Sequence, residues 1–520
     1  MKGTMRAYVL LGILFVFFSG CTLIGPDFTA PEAPVAPKWK ESEGKFTKAE
    51  PALDAKWWEV FNDPVLDKLI QLAYEQNLTL QIAGLRVLEA RAQLGVVAGS
   101  LYPQVQQGTG AYSYNRAAAP GADPYFSGAS VGFDAAWELD FWGKFRRAIQ
   151  SADANLMANM ASYDDILVTL TAEVARSYVQ IRTFEERIRL AQENISIQER
   201  ALSISEARFI SGAVSELDVQ QAKTLLSTTQ AAIPGLQISL RQTQHALSIL
   251  LGMPPQDLDE LLKGPEIIPD APAEVAVGIP ADLLRRRPDI RQAELQAVAQ
   301  CSQIGVAKAD LFPSISLFGS LGWSVNDAGQ YSLGDLFKSS SFGFSLGPSF
   351  QWNVLNYGRI QNNVRVQDAR FQQTLTNYRN TVLNAAREVE DAMTGFMRSK
   401  IQAGYLQQSV DAAKRTSKIS MIQYTAGAIT YQSVLSSTQA LAQQQDQDAQ
   451  TRGNIAVNLV AMYKALGGGW EVRLGKDFVP VPIQEQMGKR TDWGELLNIR
   501  NRKPSMDVAK DKDLWRTPDW

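Results

Sequence analysis

Over residues 143–208 apolar side chains return every three or four positions: Leu167, Leu170, Val174, Tyr178, Ile181, Phe184, Ile188, Ala191 and Ile195. No proline and no internal glycine interrupts the run. That spacing lays one apolar stripe along a helix. Sixty-odd residues at ~1.5 Å each make a rod of roughly 100 Å. A turn is expected at ISGAVSE, followed by a second helix from Leu217 to Leu251 striped by Leu225, Leu236, Leu240, Leu247 and Leu251. The same pattern returns from Arg359 to Tyr424, turns at TAGAIT and resumes to Leu466. Helices this long and this periodic pack against neighbours as coiled coils. A further helix is predicted from Pro64 to about Ser100, started by Asp63-Pro64.

Other stretches have period two. Phe342, Phe344, Leu346, Phe350 and Trp352 alternate with Gly343, Ser345, Gly347, Ser349, Gln351 and Asn353. Ile315, Leu317, Leu321 and Trp323 alternate with Ser314, Ser316, Ser320 and Gly322, and Val131, Phe133, Ala135 and Trp137 with Ser130, Gly132, Asp134 and Ala136. A weaker fourth strand is expected near Pro103 to Tyr114. One face is apolar and the other small or polar, the pattern of a strand between two unlike environments. Lengths near ~9–11 residues suit a tilted membrane crossing. The edge of a soluble sandwich has the same alternation.

The two patterns recur together. LYP at Leu101–Pro103 returns as LFP at Leu311–Pro313, and Gly95 as Gly305, both 210 positions later. Trp137 and Trp352, Gly143 and Gly358, Gly212 and Gly427, and Leu251-Gly252 and Leu466-Gly467 are 215 apart. A five-residue difference therefore falls between the strands, where a hairpin loop tolerates it. The expectation is a two-fold internal repeat, residues 63–252 and 285–469, each reading helix, strand, strand, long helix, helix. Residues 253–284 join them, and 470–520 form a polar C-terminal tail that wraps the middle of the molecule or remains partly unstructured.

The N-terminus is a targeting segment. Lys2 and Arg6 precede an apolar run, Ala7 to Phe18, too short to span a bilayer. FFSGC resembles a bacterial lipobox with Phe18 where leucine is usual; it makes residues 1–20 a signal peptide and Cys21 the lipidated residue. A plain signal peptide with a chance cysteine is the alternative. Loss of Lys2 and Arg6 takes the formal charge from −3 to −5. Residues 21–62 are the N-terminal linker and equatorial segment; within them Thr22 to Lys38, with Pro26, Pro31, Pro34 and Pro37, reads as an extended linker behind the lipid. Cys301, the other of two cysteines, then has no disulfide partner in the chain.

Composition narrows the function. With 45% hydrophobic and 20% charged residues the chain is ordinary globular material, and no basic excess points to nucleic acid. The single histidine, His245, cannot build a His-rich metal site. GFSLG at residues 343–347 matches a nucleophile-elbow pattern, but inside an alternating strand rather than a strand-to-helix turn. No enzyme, cofactor or metal is expected. No further segment has the roughly 18 apolar residues of a membrane helix, so a mature chain that spans a membrane does so with strands. Four strands cannot close a barrel, whose smallest forms have about eight, and open edges cannot face lipid. Several chains must close one barrel together.

These residues resemble a known family. CTLIGPDF, WWEVFNDPVLDKLI, AWELDFWGKFRR, ARFISGAVSELDVQQA, GIPADLLRRRPDIRQAE, IGVAKADLFPSISL and YKALGGGW are similar to the TolC-like outer membrane factor lipoproteins of tripartite efflux systems, from Cys21 to Trp470. The resemblance implies an α+β membrane protein: a homotrimer with a twelve-stranded outer-membrane β-barrel, four strands per chain, continued by a periplasmic α-helical coiled-coil barrel with an equatorial band. It implies a passive exit duct working with a periplasmic adaptor and an inner-membrane pump of the RND type, for drugs, metals, solvents or proteins. An outer component of a type I protein-secretion system, or a pore-less periplasmic coiled-coil scaffold, are the other readings. In the family the helix turns are the periplasmic tips where the adaptor docks and the aperture closes. Here that maps to Arg208, Gly212, Val214, Leu217, Asp218, Tyr424, Gly427 and Ile429. Relatives carry Arg-Tyr before the second tip and Leu-Leu-Asp-Ala-Gln after it. This chain has Gln423-Tyr424 and VLSSTQ, with Ser436 at the acidic position. Gln423 and Ser436 are therefore the aperture candidates, in a gate held by hydrogen bonds and packing rather than by a ring of carboxylates.

Overall fold

The computed structural model describes residues 23–32, 35–40, 47–48, 55–116, 125–272, 274–276, 286–327 and 332–497. Cys21, the signal segment and the end of the tail lie outside the described residues.

In chain order the elements are β1 (Thr47–Lys48), α1 (Pro64–Gln76), α2 (Leu78–Gly99), β2 (Val105–Arg116), β3 (Tyr125–Leu139), α3 (Lys144–Ile210), α4 (Glu216–Leu250), β4 (Val275–Ala276), α5 (Pro288–Ala309), β5 (Ser314–Asn326), β6 (Phe342–Gln351), α6 (Arg359–Thr425), α7 (Tyr431–Ala465) and α8 (Val481–Arg490). α3 and α6 have 67 residues each, and α4 and α7 have 35 each. α4 runs on through Pro234. Short β1 pairs in parallel with β4, so the N-terminal linker is tied to the inter-repeat segment.

The single helix expected over 64–100 is two. Asn77 has extended backbone, ψ 122°, and separates α1 from α2. Its side chain accepts from Leu80 N at 2.9 Å and donates to Leu250 O at 2.9 Å. An asparagine that caps the next helix competes with the one before it. At the other end of α1, the Asp63 carboxylate accepts from Val65 N at 3.0 Å and, buried, from Tyr178 OH at 2.6 Å. β2 also extends beyond its expected end, to Arg116.

The four long strands form one antiparallel sheet in the order β2–β3–β5–β6. The helices leave its base. Asp140 accepts from Phe145 N and Arg146 N at 2.9 and 3.0 Å, satisfying two free donors at the start of α3. α3 then packs on α2, α4, α5 and α7, and α6 packs on α5 and α7.

The main core sits midway along the long helices. Trp57, Leu66, Leu69, Val174, Tyr178, Phe396, Leu459 and Met462 are buried there together, and Trp57 stacks on Tyr463 with centroids 5.2 Å apart. The first part of the tail belongs to this core. Arg473 grips buried Asp164 with two guanidinium nitrogens, and Phe478 meets Tyr163 edge-on at 5.0 Å. Gly84 of α2 lets the tail through: a Cβ there would lie 2.1 Å from the Phe478 carbonyl oxygen. A side chain at position 84 would push the tail off the helix.

Asp165, next on α3, has a weaker environment. Burial, then the charge of Asp289, lifts its carboxyl from 3.8 to about 6, against the pull of Arg287 and Lys464. The folded chain therefore holds this proton more tightly than the unfolded one. Its stabilising effect is full below about pH 4 and is lost as pH rises through about 6. At pH 7.5 the ionised carboxylate costs on the order of 2–3 kcal/mol. Asp165→Asn is expected to raise the unfolding temperature at pH 7.5 and leave it nearly unchanged at pH 4. Thermal unfolding at the two pH values checks this.

Candidate functional site

The sheet register sorts its side chains by chemistry. Val131 pairs with Trp323, Phe133 with Leu321 and Trp137 with Leu317, and Leu321 pairs with Phe344 and Ile315 with Phe350. Directly paired residues share a face, so these apolar side chains all lie on one side. Ser130, Gly132, Asp134, Ser316, Ser320, Gly322, Ser345 and Ser349 lie on the other. Ser345 of the GFSLG stretch is thus mid-strand, with no elbow, and His245 is exposed on α4. Phe344, Leu346 and Phe350 are exposed on the apolar face. At the helical end, Trp137 Nε1 donates to Leu101 O at 3.1 Å and Trp352 Nε1 to Leu311 O at 3.0 Å. Neither β2 nor β6 has a second partner strand among the described residues.

At the far end the two helix turns meet. Each closes the same way: Ala213 N donates to Arg208 O at 2.8 Å and Gly212 N to Phe209 O at 2.9 Å, while Ala428 N donates to Gln423 O and Gly427 N to Tyr424 O, both at 2.9 Å. The glycines have φ of +75° and +78°, left-handed values that tax any residue with a Cβ. Behind the turns a small core gathers Ala201, Ala222, Tyr424, Tyr431 and Val434, with Val214 and Ile429 packed against it. The two tyrosine rings meet edge-on at 5.4 Å.

Tyr424 is the hub. Its hydroxyl lies 3.2 Å from Ser205 Oγ and donates to Asp218 Oδ2 at 3.4 Å. Arg208, near the end of α3, donates to the Tyr424 carbonyl at the end of α6 and lies 4.6 Å over its ring. A guanidinium at a helix C-terminus satisfies a free carbonyl and complements the helix dipole. Arg208 and Tyr424 thus tie the two long helices together, and Asp218 ties in α4. Burial raises both phenols, Tyr431 to about 12, so both stay neutral at ordinary pH. Across α6 and α7, Ser420 Oγ lies 2.5 Å from Ser437 Oγ.

The structure thus brings Arg208, Val214, Asp218, Tyr424 and Ile429 together around one core. Gly212, Leu217 and Gly427 are exposed on the turns. Gln423 and Ser436 are exposed and outside the knot; the Ser436 hydroxyl donates to Gln432 O on its own helix at 2.9 Å. Sequence reasoning missed Ser205, Tyr431 and the serine pair. The seven-residue spacing of Tyr424 and Tyr431 across the turn was the available signal for one of them.

The comparisons with known proteins agree on one group. The model of the outer membrane efflux protein family matches residues 69–253 and 279–468. Nodulation protein T of Rhizobium leguminosarum bv. trifolii is 32% identical over 459 residues, 88% of this chain and 96% of that protein. The probable outer membrane lipoprotein SilC of Salmonella typhimurium is 30% identical over 464 residues, 89% of this chain and 98% of that protein. Among solved structures, the outer-membrane channel OprN superposes with a TM-score of 0.81 at 30% identity, covering 86% of this chain and all of that one. The chain therefore belongs to the outer membrane efflux protein family and is an efflux-channel component of the outer membrane.

Proposed function

We propose that three copies of this chain close one twelve-stranded barrel and one helical tunnel, a passive duct lipid-anchored at Cys21. The observation that carries the reading is the sheet itself. Its apolar face suits lipid, yet β2 and β6 are open edges whose backbone groups cannot be left in lipid unpaired. Joining β6 of one copy to β2 of the next removes every edge. The helices support the same arrangement through the two-fold repeat. α5 packs between α3 and α6. Its repeat counterpart α2 packs on α3, and by the same rule its other side takes α6 of a second copy. The exposed Leu78, Ile82 and Val96 on α2, and Val366, Leu383 and Ile401 on α6, suit that contact.

The knot of Arg208, Tyr424 and Asp218 is then the resting closure of the tunnel, with Gln423 and Ser436 on its rim. Exposed Leu217, with Gly212 and Gly427, is the surface offered to a periplasmic adaptor, behind which stands an inner-membrane pump of the RND type. Relatives include a pyoverdine export protein of Pseudomonas putida and a solvent efflux pump component, so the family scaffold does not choose the cargo. The purified lipoprotein is expected to migrate as a heat-modifiable trimer and to conduct in planar bilayers. A monomer without conductance would return the chain to the pore-less scaffold reading.

A further inference from the structure

The N-terminal linker and the C-terminal tail lie on matching helices of the two repeats. On α5 the linker crosses Gly305: a Cβ there would lie 2.7 Å from Ile24 O, and one on Gly25 2.6 Å from Gly305 Cα. Arg147, 4% exposed, fixes the crossing by donating to Ile24 O at 3.1 Å and to Gly25 O at 3.3 Å. One turn lower, Cys301 Sγ donates to Pro26 O at 3.6 Å. Leu23 then lies against Gly143, where α3 begins. On α2 the tail climbs from Gly84, beside Phe478, to Arg91, whose Nη1 donates to Leu496 O at 3.1 Å. At the repeat offset of 210, Arg91 is the counterpart of Cys301 and Gly95 that of Gly305. The tail therefore follows on α2 the track that the linker follows on α5, up to one turn below Gly95.

The upper part of that track is also matched. A Cβ on Gly95 would meet nothing within 4 Å among the described residues. Glycine inside a helix is less stable than alanine, and nothing described in the single chain requires it here. Beside Leu23, Trp142 stacks on Phe312 with centroids 4.7 Å apart. Their counterparts are Tyr357 and Tyr102, 99% and 41% exposed, and Gly358 is the counterpart of Gly143. α2 of one copy meets α6 of the next by the rule already given. Gly95 and Tyr102 then join Tyr357 and Gly358 of the next copy, and each seam between copies carries the groove that holds the linker within one chain.

We propose that residues 498–500 of this chain fill the seam groove and clasp neighbouring copies together. The tail is already on the track, and the distance fits. Gly95 lies ~6 Å above Arg91 at ~1.5 Å per helical residue, and an extended chain covers ~3.3 Å per residue. Two residues beyond Leu496 therefore bring Asn498 over Gly95. Ile499 follows beside Gly358 of the next copy, an apolar side chain where Leu23 lies against Gly143. Twenty-three residues follow Leu497, so length is not limiting. The chain direction is opposite to that of the linker, which the groove tolerates because its glycines admit backbone of either sense. The inference rests on the trimer reading and adds to it what covers each seam.

The test uses the full-length lipidated protein in lipid nanodiscs. Trypsin is expected to cut after Arg500 at least tenfold more slowly than after Arg516. Gly95→Leu is expected to abolish that protection and to lower the temperature at which the trimer dissociates in detergent. A chain ending at Leu497 keeps Arg473, Phe478 and the core contacts of the tail, and is expected to lose the same trimer stability. Gly95→Leu should then have no further effect in the shortened chain. Ile499→Asp in the full chain repeats the loss without shortening it. Cleavage after Arg500 as fast as after Arg516 in an intact trimer overturns the clasp. So does a Gly95→Leu effect as large in the shortened chain as in the full one, which would assign the groove to a lipid chain or to the next copy. A wild-type protein that is monomeric overturns the trimer reading itself.

Discussion

A chain carrying Gln93→Cys and Val366→Cys is expected to cross-link into dimers and closed trimers under mild oxidation, and to return to monomer after reduction and boiling. The pair comes from the internal repeat. Gln303 of α5 donates to Ser151 Oγ of α3 at 2.8 Å within one chain. The counterpart of Gln303, 210 positions earlier, is Gln93 on α2. The counterpart of Ser151, 215 positions later, is Val366 on α6. Both are exposed in the isolated chain, Val366 at 46%. If α2 of one copy meets α6 of the next as α5 meets α3, residues 93 and 366 face each other across the interface. Either single cysteine should yield no trimer, because the residue facing it on the neighbouring copy is then not a cysteine. Buried Cys301, whose thiol burial pushes up, contributes little background. Non-reducing electrophoresis reads the result. A ladder ending at dimer, or none, would mean that the copies do not close by the rule of the repeat.

Much of this architecture was readable in the chain because two unlike periods report two unlike environments. The long 3.6-period stripe of α3 and the period-two faces of β3, β5 and β6 each had one strong reading. Breaks set by single polar residues were harder. Asn77 splits a helix through a bond to Leu250, 173 positions away, and nothing local announces that partner. β2 looked weak because Gln106, Gly108 and Gly110 occupy its outer face, where Tyr112 and Tyr114 alone carry the apolar signal. At the tip, the turns were marked by glycines, but the tie between them was not. Arg208 and Tyr424 are 216 positions apart, and only the meeting of the two helix turns around the tip core joins them. Attention to the acidic position at Ser436 looked for a carboxylate on α7. The structure instead engages the one on α4, Asp218, as a hydrogen-bond acceptor.

Arg208→Ala is expected to raise the open fraction of the channel by at least tenfold. The guanidinium makes a charge-assisted hydrogen bond to the Tyr424 carbonyl, about 1.5–3 kcal/mol for such bonds. It also covers the tyrosine ring, worth about 0.5–1 kcal/mol at a partly exposed site. Even the low end exceeds the 1.4 kcal/mol that changes an equilibrium tenfold. Tyr424→Phe keeps the carbonyl and the ring and removes only the hydroxyl, with its longer contacts at 3.2 and 3.4 Å; its effect should be smaller by several-fold. Arg208→Lys keeps the charge but loses the planar stacking over the ring, and should fall between. Salt separates this closure from a carboxylate gate. Repelling or paired carboxylates on an exposed rim respond to ionic strength, which screens them within about 10 Å at 0.1 M. A knot in which Arg208 caps a helix end and Asp218 accepts from a tyrosine hydroxyl, around a buried ring, should respond more weakly. Single-channel recording over a range of potassium chloride concentrations, with conductance normalised to bulk conductivity, distinguishes the two. A wild-type channel that springs open at high salt, or an Arg208→Ala channel no more open than wild type, removes the knot from the gate.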